Sequence, residues 1–102
     1  AKDPVAAKRY AEIARRVGLA GASERALINS LCEKINEFNV ILGIPATLKE
    51  FGIKEDEFKE KISEIAKNAV GDACTGSNPR AIDPETMERL FTCIYYGTEV
   101  DF

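Results

Sequence analysis

Apolar residues recur along most of the chain at spacings of three and four, the period of one face of an amphipathic helix. Four stretches carry this pattern, so the sequence predicts an all-α fold, a helical bundle of four principal helices. The apolar positions expected to be buried are Ala6, Tyr10, Ile13 and Val17 in the first helix, Leu27, Leu31, Ile35, Phe38 and Leu42 in the second, Phe58, Ile62, Ile65, Ala66 and Ala69 in the third, and Met87, Leu90, Phe91 and Ile94 in the fourth.

Capping residues mark where these helices begin and end. Asp3 and Asp83 each precede a proline. A carboxylate at that position accepts hydrogen bonds from free backbone amides, and proline fits the first helical turn. Ser23 is predicted to cap the second helix in the same way. Gly18 and Gly97 are predicted to end the first and fourth helices.

The second and third helices are joined by a segment that predicts one short helical turn. Gly43-Ile44-Pro45 stops the second helix, and Thr47 can cap a turn over residues 48–51 that Gly52 closes. The side chains expected to tuck inward, as a hydrophobic clasp between two helices, are Ile44, Leu48, Phe51 and Ile53.

The third helix is predicted over about residues 54–73. Its outer face carries Glu57, Lys61 and Glu64 at spacings that allow weak local ion pairs. Gly71 lowers helix stability, which indicates either close packing or early fraying.

The end of the chain carries two different patterns. Tyr95 and Tyr96 finish the fourth helix, where we expect their rings to be buried and their hydroxyls to stay in water. Residues 98–102 alternate in polarity, so they form either an edge strand on a neighbouring chain or a frayed terminus, which is the more usual outcome.

The segment from Asp72 to Arg80 interrupts the helical pattern and reads Asp-Ala-Cys-Thr-Gly-Ser-Asn-Pro-Arg. Pro79 pushes Asn78 out of the helical region, so the preceding helix must have ended by that point. Gly76 has access to backbone angles that other residues avoid, which permits a sharp turn or a close approach to a ligand. Two interpretations remain open: a capped interhelical loop, which the residue types alone favour, or a loop lining a site built mostly by other parts of a larger protein.

Composition and charge exclude several functional classes. The chain has 102 residues, of which 45% are hydrophobic and 30% charged, as expected for one small soluble domain. Its net charge of -3 argues against general nucleic-acid binding, which normally needs a basic surface. No apolar run approaches the roughly 20 residues of a membrane span.

The chemistry of the side chains is limited by the cysteines and by the lack of histidine. Cys32, Cys74 and Cys93 are widely spaced, which suggests neither a disulfide framework nor a metal cluster and fits a reducing cytoplasm. Cys32 and Cys93 are most simply packing residues. With no histidine, the chain itself cannot supply a Ser-His-Asp or Cys-His pair or an imidazole metal ligand.

Three segments together resemble the C-terminal part of the iron-dependent alcohol dehydrogenase family: Gly43 to Gly52, Ile65 to Arg80, and Asp83 to Met87. Two further segments, Arg9 to Ala14 and Tyr95 to Gly97, are similar to the alcohol-dehydrogenase half of the bifunctional aldehyde-alcohol dehydrogenases. The absence of histidine departs from the family pattern, whose metal is held by one aspartate and three histidines.

This resemblance implies a nucleotide-binding α/β domain followed by a helical domain of the dehydroquinate-synthase-like type, with the active site between them. Residues 1–102 are then the C-terminal part of that helical domain, without a nucleotide-binding domain, metal ligands or catalytic residues. The implied parent uses NAD(H) and Fe2+ to interconvert a small aldehyde and its primary alcohol, within a bifunctional enzyme that makes ethanol from acetyl-CoA. The fragment would form one wall of the cleft and be inactive alone.

The resemblance also assigns roles around the central loop. Arg80 is expected to hold the loop by bonding helix-end carbonyls. The residues expected to line the substrate pocket are Cys74, Thr75 and Gly76, and those expected to structure the loop are Asn78, Pro79 and Arg80.

Two other functions compete with this interpretation. One is a free-standing helical module that binds a protein partner, although the opening residues, Ala-Lys-Asp-Pro, are typical of the middle of a longer protein. The other is a relative of glycerol dehydrogenase or dehydroquinate synthase, against which the residue 74–80 segment argues. The expected partners are the remainder of the parent enzyme and, through exposed apolar helix faces, further copies of the chain. The parent is expected to form a homo-oligomer or a filament, with no nucleic-acid or membrane partner.

Overall fold

The computed structural model describes residues 3–102, and across that range it is helical without a strand. The all-α prediction is therefore confirmed. The helices are α1 (Pro4–Arg16), α2 (Glu24–Ile41), α3 (Leu48–Phe51), α4 (Glu55–Gly71) and α5 (Pro84–Tyr96), with a single 3-10 turn at Thr75–Ser77. The chain divides into two compact units, an N-terminal unit that ends at Ile44 and a C-terminal unit, Pro45–Phe102.

The predicted N-caps are confirmed, because each side-chain oxygen accepts a hydrogen bond from the amide three residues later. The donor and acceptor pairs are Ala6 N to Asp3 Oδ1 at 2.9 Å, Ala26 N to Ser23 Oγ at 3.1 Å, Glu50 N to Thr47 Oγ1 at 3.0 Å, and Thr86 N to Asp83 Oδ1 at 2.7 Å.

The N-terminal unit is a pair of helices, α1 and α2, whose contact face on α1 consists of alanines. Ala7, Ala11 and Ala14 are buried, while Tyr10 is 48% exposed. The predicted stripe is therefore wrong by one position along the helix. The predicted stripe through Tyr10 and the observed alanine stripe both repeat at spacings of four and three. The alanines occupy the contact face because their small side chains let two helix backbones approach closely. The larger apolar residues left exposed on α1 include Ile13 and Val17.

The predicted seam along α2 is buried only near its start. Leu27 is 1% exposed and Leu31 is half-buried, whereas Phe38 is 51% exposed and Leu42 is 70% exposed. Because α1 has 13 residues and α2 has 18, α1 cannot cover the full length of α2 at about 1.5 Å per residue.

The turn before α2 contains a glycine that sequence analysis missed. A Cβ on Gly21 would lie 2.7 Å from the backbone nitrogen of Leu27. Close approach of the turn to the first turn of α2 therefore requires a residue without a side chain here.

The C-terminal unit is built around α4 and α5, with α3 against α5. Its core contains Phe58, Ala66, Met87 and Tyr95. The rings of Phe58 and Tyr95 stack with centroids 4.4 Å apart and an interplanar angle of 14°. The hydroxyl of Tyr95 donates to the carbonyl oxygen of Ile53 at 2.8 Å. The prediction that this hydroxyl stays in water is therefore wrong.

Several predicted positions in this unit are not where the pattern placed them. Ile65 and Ile94 are 43% and 42% exposed, because the rings of Phe58 and Tyr95 supply the contact between α4 and α5. Of the predicted clasp, the side chain of Phe51 is 69% exposed, whereas Leu48 and Ile53 are half-buried. Ile44 is 50% exposed and lies in the N-terminal unit.

The ion pair on α4 differs from those predicted and lies on the side of the helix that faces α5, not on its outer face. Lys59 contacts Glu55 at 2.7 Å, while Lys61 makes no ion pair with Glu57 or Glu64 in the part of the chain that the structure describes. The i,i+4 spacing occurs both in the pair Glu55–Lys59 and in the pair Glu57–Lys61. The Tyr96 hydroxyl favours the first pair, because it donates a hydrogen bond to Glu55 Oε1 at 2.7 Å.

The chain reverses direction after α5. Gly97 has a φ of +77° and its amide donates to the carbonyl of Cys93 at 2.7 Å, as does the amide of Thr98 at 3.2 Å. This is the hydrogen-bond pattern of a helix ended by a left-handed residue. Residues 98–102 adopt neither a strand nor a helix, and they return toward the side of α5.

Candidate functional site

The candidate loop, residues 72–80, begins where α4 ends. The helix stops at Gly71, two residues earlier than predicted, because Asp72 adopts an extended conformation with ψ of 138°. The carboxylate of Asp72 then accepts from the amide of Cys74 at 2.8 Å. A Cβ on Gly71 would meet nothing within 4 Å, so close packing does not explain this glycine.

Hydrogen bonds from small polar side chains hold the middle of the loop. The Thr75 hydroxyl donates to the carbonyl of Ala69 in the last turn of α4 at 2.5 Å. The Ser77 hydroxyl donates to the Cys74 carbonyl at 2.8 Å. The Thr75 side chain therefore fixes the loop on the helix, and its hydroxyl proton is already used.

The end of the loop is closed by Asn78. Its backbone is extended, with φ of -65° and ψ of 135°, which confirms the conformation predicted for a residue before Pro79. Its side-chain amide donates to the carbonyl of Arg80 at 2.6 Å. These hydrogen bonds together define the shape of the loop from Asp72 to Arg80.

Gly76 does not use the conformational freedom expected of it. It is not among the glycines with positive φ, and a Cβ placed on it would meet nothing within 4 Å. The sharp turn is made by the 3-10 hydrogen bonds instead, so the loop's own geometry does not require a glycine here.

Arg80 bonds a different carbonyl from the one expected. Its Nη1 donates to the backbone oxygen of Phe102 at 2.6 Å, not to a helix-end carbonyl. The partner lies 22 residues further along the chain, in the segment that returns along α5. Local sequence therefore offered no signal for this contact.

The loop borders a cavity of about 430 Å³ on the surface of the C-terminal unit. Four of the predicted site residues, Cys74, Thr75, Asn78 and Pro79, line it, and Gly76 and Arg80 do not. The thiol of Cys74 is free and exposed. Apolar side chains of Ile82 and Met87 complete the wall. The cavity therefore combines a thiol with an apolar floor, which suits contact with a small, partly apolar molecule.

A second cavity, of about 670 Å³, lies on another side of α5 and was not foreseen from the sequence. It is bordered by α4, α5 and the returning residues 98–102, and its charged lining includes Lys59, Glu88 and Arg89. The only sequence signal for it is the i,i+4 pairing of Glu55 with Lys59, because the rest depends on where the last residues fold.

Hydrogen bonds shift the acidities of a cluster at the start of α4. The hydrogen bond from Lys59, and then that from the Tyr96 hydroxyl, hold the pKa of Glu55 below its usual value. The same contacts raise the pKa of Lys59 and of Tyr96. Burial raises the pKa of Tyr95. These shifts all favour the protonation states found near neutral pH.

The pKa of Asp83, next to the candidate loop, is also shifted from its usual value. The hydrogen bond from the backbone amide of Thr86 is the main cause that lowers the pKa of Asp83, and the positive charge of Arg80 adds to it. Asp83 is thus an ionised helix cap beside the loop.

Potential metal ligands are scattered over the described part of the chain. Within residues 3–102, no group of three or more histidine, cysteine, aspartate or glutamate side chains lies close enough to hold an ion. The same residues include no helix long and apolar enough to cross a membrane.

Comparison with known proteins shows the family of the chain. Residues 1–95 match the family described as Fe-containing alcohol dehydrogenase family, C-terminal. Among relatives, an NADPH-dependent butanol dehydrogenase of Clostridium saccharobutylicum is 52% identical over 95 residues, 93% of this chain. The bifunctional aldehyde-alcohol dehydrogenase AdhE of Escherichia coli K12 is 34% identical over 94% of the chain. An NAD-dependent methanol dehydrogenase of Bacillus methanolicus is 38% identical over 81% of it.

The chain spans only part of each of these relatives: 24% of the butanol dehydrogenase, 11% of AdhE and 21% of the methanol dehydrogenase. The matched portion, residues 1–95, includes the N-terminal unit, the C-terminal unit as far as residue 95, and the whole of the candidate loop. The chain therefore belongs to the Fe-containing alcohol dehydrogenase family and corresponds to its C-terminal helical part.

Proposed function

We propose that this chain is part of an enzyme that interconverts a small aldehyde and its primary alcohol, and that the candidate loop forms one wall of that enzyme's active-site cleft. The observation that carries the proposal is the loop itself. It is held in one shape by its own hydrogen bonds, and it presents the Cys74 thiol to a surface cavity. The chain alone is expected to be inactive.

The names of the relatives support the substrate class. Butanol and methanol are both primary alcohols. Their coenzymes differ, since one name specifies NADPH and the other NAD. We propose NAD(H) for the parent, and NADP(H) is the alternative that an assay with both coenzymes separates.

The chain's own contribution would be to shape the active-site cleft and to exclude water from it. Cys74 and the apolar wall beside it would contact the carbon chain of the substrate, where bulk decides which alcohols fit. Thr75 would keep the loop in place through the Ala69 carbonyl. We propose that the Fe2+ and the dinucleotide are held by the remainder of the parent, since residues 3–102 bring no three carboxylates or thiols together.

Replacing Cys74 in the parent enzyme tests the wall role. Cys74→Leu adds bulk, so we expect kcat/KM for butanol relative to ethanol to fall by about tenfold, the scale of a methylene or two in a tight pocket. Cys32→Leu makes the same chemical change on α2 outside the loop, at another exposed cysteine, and should leave the ratio unchanged. An active Cys74→Leu enzyme with an unaltered ratio would contradict the proposal.

The expected inactivity of the isolated chain needs its own measurement. Residues 1–102, supplied with Fe2+, butanol and either NAD+ or NADP+, should form no reduced coenzyme above the rate without protein. Turnover at a rate comparable with that of the parent would mean that the chemistry lies within this chain.

Whether the parent is bifunctional is decided by its length. The matched segment is 24% of the butanol dehydrogenase and 11% of AdhE, so a bifunctional parent is about twice as long. We propose the bifunctional form, with association into a homo-oligomer or filament. The mass of the native polypeptide distinguishes the two, and a chain of the shorter length would exclude the bifunctional form.

A further inference from the structure

The residues after α5 return to the candidate loop and contact it. Gly97 reverses the chain, and the thiol of Cys93 lies 3.6 Å from the Glu99 carbonyl on the return path. Phe102 is half-buried at the end of this path, beside the first half of α5. The segment after α5 therefore contacts both α5 and the end of the candidate loop.

Phe102 is held by two arginines from different places in the sequence. The guanidinium carbon of Arg89, on α5, lies 4.0 Å from the ring centroid, and that of Arg80, at the end of the loop, lies 5.9 Å from it. Arg80 also donates to the Phe102 carbonyl at 2.6 Å. A planar guanidinium can stack on an aromatic face and donate a hydrogen bond at the same time, which an ammonium group does less well.

Hydrogen bonds connect Arg80 to the middle of the loop. Its carbonyl accepts from the side chain of Asn78 at 2.6 Å, and the amide of Asn78 donates to the carbonyl of Thr75 at 3.1 Å. Thr75 in turn bonds α4 and lines the cavity with Cys74. A continuous set of contacts therefore joins Phe102 to the cavity wall.

We propose that Phe102 is a positioning residue, which fixes the candidate loop through Arg80 and thereby helps to set which alcohols the enclosed pocket accepts. The effect on alcohol choice rests on the proposed function, whereas the mechanical link between Phe102 and the loop does not. The contacts that join Phe102 to the loop run through Arg80.

Hydrogen exchange on the 102-residue chain tests the link. Phe102→Ala should speed exchange of the Ser77 and Asn78 amides by about threefold or more, the scale of one lost cation–π contact. Amides in the middle of α4 and in α2 should keep their rates. Val100→Ala is the matched control, since Val100 lies in the same returning segment and is 51% exposed. Phe102→Tyr keeps an aromatic face and should restore slow exchange.

Two outcomes of this experiment overturn the proposal. In one, the loop amides of Phe102→Ala exchange as in the unchanged protein. In the other, exchange rises equally in α4, α5 and the loop, which would make Phe102 a general stability contact. Arg80→Lys provides a second route to the same result, because it keeps the charge and loses the stack, and it should speed the loop amides as Phe102→Ala does.

Kinetics of the parent enzyme separate this proposal from the wall role of Cys74. Phe102→Ala should raise KM for butanol relative to KM for ethanol by about threefold, in line with the exchange effect, and leave kcat for butanol within about twofold. If exchange responds and KM does not, the link stands and the proposed wall function fails. If neither responds, the positioning role is wrong.

Discussion

The two units of the chain bury different kinds of side chain. The contact face of α1 is made of alanines that pack against Leu27, Ile28 and Leu31 of α2, and most of the large apolar residues of that unit remain exposed. The C-terminal unit instead buries two aromatic rings and a methionine, and it ties one ring to the backbone by a hydrogen bond. The first arrangement brings two helices close together, while the second specifies which side chains must meet.

This difference bears on where each unit gains its stability. Burial of apolar area contributes about 25 cal/mol per Å², so an alanine face contributes little for each residue. A stacked pair such as Phe58 and Tyr95 adds a geometric preference to its larger burial. We therefore expect the C-terminal unit to hold its own structure, and the N-terminal unit to depend on surfaces that cover α2.

The largest expected effect comes from removing the buried phenylalanine. Phe58→Ala should lower the free energy of unfolding of the C-terminal unit by about 3–5 kcal/mol, because it leaves a cavity against Tyr95. Urea titration followed by NMR of assigned amides measures this separately in each unit. Phe38→Ala, on the exposed side of α2, is the matched control and should cost less than about 1 kcal/mol. Equal losses would contradict the contrast between the units.

A smaller effect is expected at the turn after α5. Gly97→Ala should destabilise the C-terminal unit by about 1–2 kcal/mol, since φ is +77° and the added Cβ would lie 2.9 Å from Thr47 Cγ2. Gly71→Ala, where nothing lies within 4 Å, should instead stabilise α4 by about 0.4–1 kcal/mol. Thermal unfolding of the two variants compares them directly. A stabilising Gly97→Ala would exclude the left-handed turn.

The charged cap of α5 predicts how the C-terminal unit responds to acid. Its hydrogen bond from Thr86 lowers the pKa of Asp83 in the folded state, so the stabilisation is present above the unfolded pKa and is lost as pH falls through the folded value. Stability should therefore fall below about pH 4. Asp83→Asn keeps a capping oxygen but cannot titrate, so its melting temperature should depend less on pH over that range. If the melting temperature of Asp83→Asn depended on pH as steeply as that of the unchanged protein, Asp83 would not be the cause of the loss of stability in acid.

Substitution of an exposed apolar residue on α2 is expected to have the smallest effect on folding stability. Its effect on self-association should be clear. Ile35 and Phe38 are each 51% exposed, and such apolar surface favours self-association. Phe38→Ser should leave the free energy of unfolding within about 0.5 kcal/mol and lower the fraction of dimer or higher oligomer at millimolar protein. Sedimentation of both proteins tests this. A monomeric unchanged chain at that concentration would contradict self-association.

Much of the helical framework could be predicted because its determinants are local. Each N-cap joins residues three apart, and the glycines that end helices act through their own backbone angles. The three segments that carried the family resemblance, of which Ile65 to Arg80 contains the loop, could be read for the same reason, since residue order is visible without any tertiary contact. The loop's hydrogen bonds to Asp72 and Ala69 are also local.

Other features depended on contacts between residues far apart in sequence. On α1, two stripes share the same spacing, and only packing against α2 selects the alanines over Tyr10. The exposed length of α2 follows from the shorter length of its neighbour.

The sequence by itself determined the capped starts of four helices and the glycine that ends α5, because capping and turn chemistry act within a few residues. Only the tertiary structure decided which helix faces are buried, which carbonyl Tyr95 binds, and that Arg80 reaches Phe102 across 22 residues. The physical reason is that burial and long-range hydrogen bonds depend on which surfaces meet, and several faces of similar hydrophobicity compete for each contact.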